Sequence, residues 1–342
     1  MSDDAVGTNR YLLKVENLRT YFPIRKGLLR RTVGYVKAVD GVSFGIKAGQ
    51  TLGLVGESGC GKTTLARSIV RLAPVTGGRV VFDGGDVLSA GGDELRLLRG
   101  GIGLVFQDSY GSLNPRMTVG DTVGEPLKVW GEIGRSEVAE RVMDLLSKVG
   151  LSVEHVNRYP HEMSGGQRQR VGVARAVALG PKLVICDEPV SSLDVSIQAQ
   201  ILNLLKDLQE EFGLTFLFIA HDLAVVEFFC DSVAVMHTGR IVEQASAEEL
   251  YRNPLHPYTR TLISAVPQAE PGVQRPRKLL RTEALGGSKG ILGRDVRGML
   301  NCLSGCAFYP ECPERQEDCL RRMPELDEKE GYRGHYVACW KS

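Results

Sequence analysis

Apolar and polar positions alternate weakly over residues 12–19 and again from Val42 to Ile46, and both stretches predict strands. Between them, Arg25 to Lys37 is basic, and its charge predicts a solvated hairpin loop. Thr51–Val55 is a short apolar run entering a glycine-rich turn, which suits a buried strand. The chain then continues as a helix over Thr63–Leu72, with Leu65, Ile69 and Leu72 on one face.

From about 110 to 180 the strand pattern gives way to a helical one. Val138, Val142, Leu145, Leu146 and Val149 recur at helical spacing. Strands return at Leu183–Cys186, Leu214–Ala220 and Ser232–Met236, and Ile197, Ile201, Leu204, Leu205 and Leu208 mark an amphipathic helix between the first two. Strand–helix–strand alternation implies parallel pairing through helical crossovers. The expected fold is therefore α/β, with a helical subdomain inserted at about 110–180. Pro267 to Gly298, rich in Gly, Arg and Pro, reads as a linker that separates a body over 10–265 from a C-terminal region over 266–342.

Composition narrows the function classes. Lys plus Arg is 42 and Asp plus Glu is 41, so the net charge of +1 argues against a nucleic-acid partner bound by global basic charge. The longest apolar runs, such as Leu214–Ala220, are strand-sized and far short of a membrane span. Met1-Ser2-Asp3-Asp4 offers no basic segment ahead of an apolar core, so no export signal is expected. Of 8 cysteines, Cys302, Cys306, Cys312, Cys319 and Cys339 crowd the end of the chain.

Gly56-Glu57-Ser58-Gly59-Cys60-Gly61-Lys62-Thr63 fits the phosphate-loop pattern between a strand and a helix, with Thr64 following. Glycines let successive backbone N–H groups turn toward phosphate oxygens, and the helix N-terminus adds its positive dipole end. Lys62 is expected to bridge the β- and γ-phosphates of a nucleotide, and the Thr63 hydroxyl to ligate Mg²⁺; kinases, GTPases and many ATPases share this loop. Cys60 reads as a small filler. The strand ending in Asp187-Glu188 supplies the acidic counterpart: Asp187 suits Mg²⁺, and Glu188 suits a general base that polarises the attacking water.

Ser164-Gly165-Gly166-Gln167 opens a second glycine-rich helix start upstream of Asp187. One nucleotide needs one phosphate loop, so this second anion site makes sense as a surface offered to another subunit's ATP. The run resembles the signature motif of ABC ATPases, with Met163 in the usual leucine position. The other motifs of that family follow in order. Gln107 matches the Q-loop, a Mg²⁺ and water sensor that contacts the membrane subunit. Asp194, in Ser191-Ser192-Leu193-Asp194, matches the D-loop facing the opposite subunit, and His221 matches the switch histidine at the γ-phosphate. For the aromatic that stacks on adenine, Phe22 leads, with Tyr21 and Tyr35 as rivals.

Asp187 to Asp207, Phe218 to Val226 and Asn253-Pro254-Leu255-His256-Pro257-Tyr258-Thr259-Arg260 resemble the oligopeptide/dipeptide importer branch, and Gly-Gly-Gln-Arg-Gln-Arg favours its F-type ATPase. The resemblance implies an ATP-hydrolysing translocase subunit at the cytoplasmic face of the membrane. Its implied partners are a D-type ATPase in a heterodimer, two permease subunits and an extracytoplasmic peptide-binding protein. Two rival readings weigh less. A soluble ABC protein of DNA repair or translation would carry two cassettes or long inserts, and a binding-only subunit would lack Glu188 and His221.

Cys306-x5-Cys312-x6-Cys319-x19-Cys339 is a four-thiolate set. In a reducing compartment metal binding is the better reading than disulfides. Four thiolates suit zinc or an iron–sulfur cluster alike. The resemblance tips the expectation to a [4Fe–4S] cluster with a structural role, leaving Cys302 spare.

Overall fold

The computed structural model describes residues 11–27, 31–108, 111–130, 134–191, 193–265 and 305–341. In chain order it contains β1 (Tyr11–Lys26), β2 (Arg31–Lys47), β3 (Thr51–Val55), α1 (Lys62–Ile69), β4 (Gly77–Phe82), β5 (Gly85–Asp86), α2 (Gly92–Gly100) and β6 (Ile102–Val105). Then come α3 (Val119–Trp130), α4 (Arg135–Lys148), α5 (Gly165–Val177), β7 (Leu183–Asp187), α6 (Val195–Phe212), β8 (Thr215–Ala220), α7 (Leu223–Phe229) and β9 (Ser232–His237). The chain closes with β10 (Arg240–Ser246), α8 (Ala247–Arg252), α9 (Pro257–Ser264), α10 (Glu317–Arg321), β11 (Asp327–Glu328) and β12 (Tyr336–Val337).

Strands apolar on both faces form the centre. In β7, Leu183 and Ile185 point into one core while Val184 and Cys186 point into the other; in β8, Leu217 and Ile219 oppose Phe216 and Phe218. That is the period of two of a strand covered on both sides. The large sheet runs β11-β12-β10-β9-β3-β8-β7-β6. Its members from β6 to β9 pair in parallel, as the crossover helices require. One face packs on α1 and on a second, antiparallel sheet ordered β2-β1-β4-β5. The other face packs on the helical segment, where Val119, Val123, Leu127, Val142, Leu146, Val171 and Val173 are buried.

The structure corrects two expectations in the body. Most of the basic stretch Arg25–Lys37 is strand: β1 and β2 pair from Lys26↔Arg31 to Tyr21↔Lys37, so the ladder continues while the side chains face water. Charge marked the exposure of this arm, and backbone pairing needs no apolar face. Leu72 does not extend the face of α1; the helix stops at Ile69, Arg71 takes a left-handed φ of 55°, and Leu72 is 55% exposed.

The predicted linker, Pro267–Gly298, and Cys302 lie outside the described residues. The terminal segment returns to the body: β12 pairs with β10 through Val337↔Glu243 and Tyr336↔Gln244, extending the large sheet. Among the described residues no helix is long and apolar enough to cross a membrane.

Candidate functional site

The turn between β3 and α1 depends on glycine at its two ends. Gly56 has φ 154°, and a Cβ there would lie 2.1 Å from the Met236 carbonyl oxygen; Gly61 has φ 113°, and its Cβ would lie 2.1 Å from that of Ala38. The loop is pressed against β9 on one side and β2 on the other, and no other residue fits. Burial pushes the Cys60 thiol upward, against the pull of Lys62.

Lys62 is 4% exposed, and its ammonium is held inside the loop by the carbonyls of Gly56 at 2.7 Å and Glu57 at 3.0 Å. The Thr63 hydroxyl donates to Asp187 Oδ1 at 3.0 Å, which joins the loop to the tip of β7. Burial pushes the Asp187 carboxyl upward, against the pull of the Thr63 hydroxyl.

Glu188 follows β7 in a left-handed conformation, φ 48°, with its N–H donating to the Ile219 carbonyl at 3.0 Å. Such a backbone costs on the order of 1 kcal/mol and clusters at functional sites. It places the carboxylate between three groups. Gln107 Nε2 donates to Glu188 Oε2 at 2.9 Å, His221 Nδ1 lies 3.3 Å from the same oxygen, and Lys62 Nζ lies 4.0 Å from Oε1. Gln107 and His221 come from separate parts of the chain, past the ends of β6 and β8.

Ser164 caps α5: its hydroxyl accepts from the Gln167 N–H at 3.3 Å, and Gln167 Oε1 accepts from the Ser164 N–H at 3.0 Å. Gly166 lets this start lie close to α6, where an added Cβ would meet Ile197 at 2.7 Å. Ser164 and Asp194 are exposed. Among the described residues no hydrogen bond or ion pair joins Ser164–Gln167 to Gly56–Thr64.

Of the three aromatic candidates, Tyr21 has its hydroxyl committed to Asp40, which also pairs with Arg240. Tyr35 is 55% exposed, and half-buried Phe22 pairs with Val36 in the exposed arm.

Cys306, Cys312, Cys319 and Cys339 line one cavity together with His256, Pro257, Phe308 and Trp340. The Cys306 N–H donates to the Cys319 carbonyl at 2.7 Å, and the Cys312 N–H to that of Phe308 at 2.9 Å. Burial pushes the Cys306 thiol up to about 11, with Cys319, Cys312 and Cys339 adding to it. Among the described residues, however, no group of three or more His, Cys, Asp or Glu side chains is set to hold a metal ion. The expected ligands therefore share a cavity without forming a closed ligand set.

Two contacts lay beyond the sequence reading. Tyr258, quoted above only as part of a motif, accepts a hydrogen bond at 2.9 Å from the Glu57 N–H, across 201 positions. Glu243, fully buried on β10, accepts from the N–H groups of Leu255 and His256 and from His335 Nε2 at 2.7 Å. A lone buried glutamate on an apolar strand was the available signal for the second; the first left none.

Residues 39–191 match the family described as "ABC transporter", and residues 242–319 match "Oligopeptide/dipeptide transporter, C-terminal region". The chain is 47% identical over 329 residues to the oligopeptide transport ATP-binding protein AppF of Bacillus subtilis, covering 96% of both chains. It is 46% identical over 335 residues to OppF of Salmonella typhimurium, covering 97% of this chain and 96% of that protein. Among solved structures, the ATP-binding cassette MJ0796, in a post-hydrolysis dimer bound to ADP and Pi, superposes with a TM-score of 0.62 at 30% identity, covering 69% of this chain and 98% of that one. CbiO1 from Clostridium perfringens, part of an ABC transporter complex, gives 0.61 at 30% identity, covering 72% and 92%.

Proposed function

The chain belongs to the ABC transporter ATPases, in the oligopeptide/dipeptide branch, and from that premise we propose that it is the ATP-hydrolysing subunit powering import of di- and oligopeptides. The observation that carries the reading is the Glu188 carboxylate, held by Gln107 and His221 on one oxygen and facing Lys62 with the other.

Each residue has a definite task in hydrolysis. The N–H groups from Gly59 to Thr64 cradle the β-phosphate, and Lys62, seated on the Gly56 and Glu57 carbonyls, reaches the β- and γ-phosphates from there. Thr63, Asp187 and Gln107 would hold Mg²⁺, and the 3.0 Å Thr63–Asp187 contact is a donor set of the hard oxygen type that ion takes. When bound, Mg²⁺ neutralises charge on the phosphate oxygens. Glu188 takes the proton of the attacking water, and His221 faces the γ-phosphate.

Exposed Ser164, with Gly165, Gly166, Gln167 and Asp194, serves ATP held by a second cassette. That second cassette is a D-type ATPase. Two permeases supply the pore, an extracytoplasmic binding protein supplies the peptide, and the chain works at the cytoplasmic face. Phe22 is the adenine-stacking residue.

The reading extends to the tail. Cys306, Cys312, Cys319 and Cys339 would hold a [4Fe–4S] cluster that cross-links the segment, and the cavity they share supports it. One zinc ion with 2.3 Å bonds would draw its sulfurs to ~3.8 Å of each other.

Two measurements test this. In the assembled transporter, Glu188→Gln is expected to lower kcat by about 10²-fold or more while ATP still binds; unchanged hydrolysis would remove Glu188 as base. Anaerobically purified protein is expected to be brown and to contain iron and sulfide; one zinc and no iron would overturn the cluster.

A further inference from the structure

Tyr258 is 1% exposed, with its ring between His237 at 4.5 Å and Phe308 at 5.4 Å. A phenylalanine would fill that space as well. The hydroxyl serves a different end: it reaches the Glu57 N–H, 2.9 Å away in the phosphate loop.

That N–H shares a peptide group with the Gly56 carbonyl. In a planar trans peptide the two point in opposite directions, so fixing one fixes the other. The Gly56 carbonyl is the 2.7 Å acceptor of Lys62, and the carbonyl of Glu57 accepts the same ammonium at 3.0 Å. On its other flank the peptide is walled by the Met236 carbonyl, which leaves no room for a Cβ on Gly56. Tyr258 thus holds this peptide from its N–H side, and so sets the plate on which Lys62 rests.

Tyr258 also connects that plate to the tail. Phe308 contacts Tyr258, His237 and His256 at 5.4, 5.5 and 5.9 Å, and with His256 it lines the cavity of the four cysteines. The rings pack at close density and transmit displacement. From the cysteine cavity to the phosphate loop the contact is continuous: Phe308, Tyr258, Glu57 N–H, Gly56 carbonyl, Lys62.

We propose that Tyr258 is a positioning residue for ATP binding, through which the C-terminal lobe sets the pose of Lys62. The inference rests on the reading of Gly56–Thr63 as the ATP phosphate loop. It assigns the hydroxyl to the binding of ATP and leaves the chemical step to Glu188.

The full-length chain carrying Glu188→Gln, titrated with a fluorescent ATP analogue, is the assay, because hydrolysis does not intervene. Adding Tyr258→Phe is expected to weaken binding ~3- to 10-fold, the loss of about one hydrogen bond, while the melting temperature stays within about 2 °C. In the assembled transporter the same substitution on the wild-type background is expected to raise KM for ATP by that factor and leave kcat within about twofold. Phe308→Leu is expected to weaken binding alone and to add nothing to Tyr258→Phe. Unchanged affinity in Tyr258→Phe, or a fall in kcat with KM unchanged, overturns the proposal; additive effects overturn the role of the lobe. If the chain with Tyr258 intact binds no ATP, it is the phosphate-loop reading that fails.

Discussion

His256 is 2% exposed and is wired for the neutral imidazole. Its Nδ1 accepts the Tyr258 N–H at 3.0 Å and caps α9, and its backbone N–H donates to Glu243 at 2.9 Å. Burial lowers its pKa to about 4, with His237 and Arg260 pushing the same way and Glu243 opposing; the cysteine thiols share its cavity. Between about pH 6.5 and 4 the unfolded chain binds a proton here that the native chain refuses. Stability therefore rises with pH across that window, and its loss on acidification reaches about 3 kcal/mol at the lower end. His256→Asn keeps a capping acceptor and cannot titrate. Urea unfolding of the two proteins should give a steeper fall between pH 6.5 and 4 for the wild type; parallel curves would mean His256 is not held neutral.

At the scale of elements, sequence legibility follows how local the cause is. β7 and β8 were readable because both of their faces are buried, which leaves an unbroken apolar run, and α6 because one face alone is. The phosphate loop was readable because its glycines, lysine and threonine are contiguous. The β1–β2 arm was not, since what makes it a strand is backbone pairing between Tyr21–Lys26 and Arg31–Lys37, which side-chain polarity does not report. The meeting of Gln107 and His221 at Glu188 joins loops after β6, β7 and β8. Residue chemistry alone offered Glu188 as a base; family resemblance supplied its two companions. Nothing local could have placed Tyr258 on Glu57, because that contact depends on where α9 docks.

On the scale of the whole molecule, the question is whether the C-terminal segment is an appendage or part of the folding unit. It adds β12 to β10 and seats His335, 1% exposed, on the fully buried Glu243 at 2.7 Å. Glu243 at the same time holds the turn that carries His256 and Tyr258. Removing the imidazole would leave a buried carboxylate with two backbone donors and without its side-chain partner, a loss of about 3 kcal/mol. His335→Ala should therefore weaken the body as well as the tail. The two tryptophans report on both: Trp130 ends α3 in the helical segment, and Trp340 lies in the tail with its indole N–H on the Arg322 carbonyl. With each tryptophan followed alone, the other replaced by Phe, denaturant unfolding should show one shared midpoint in the parent. In His335→Ala both midpoints should fall together. If the Trp340 transition moved down while that of Trp130 stayed in place, the tail would be an independent unit. Glu243 would then hold its turn without help from His335.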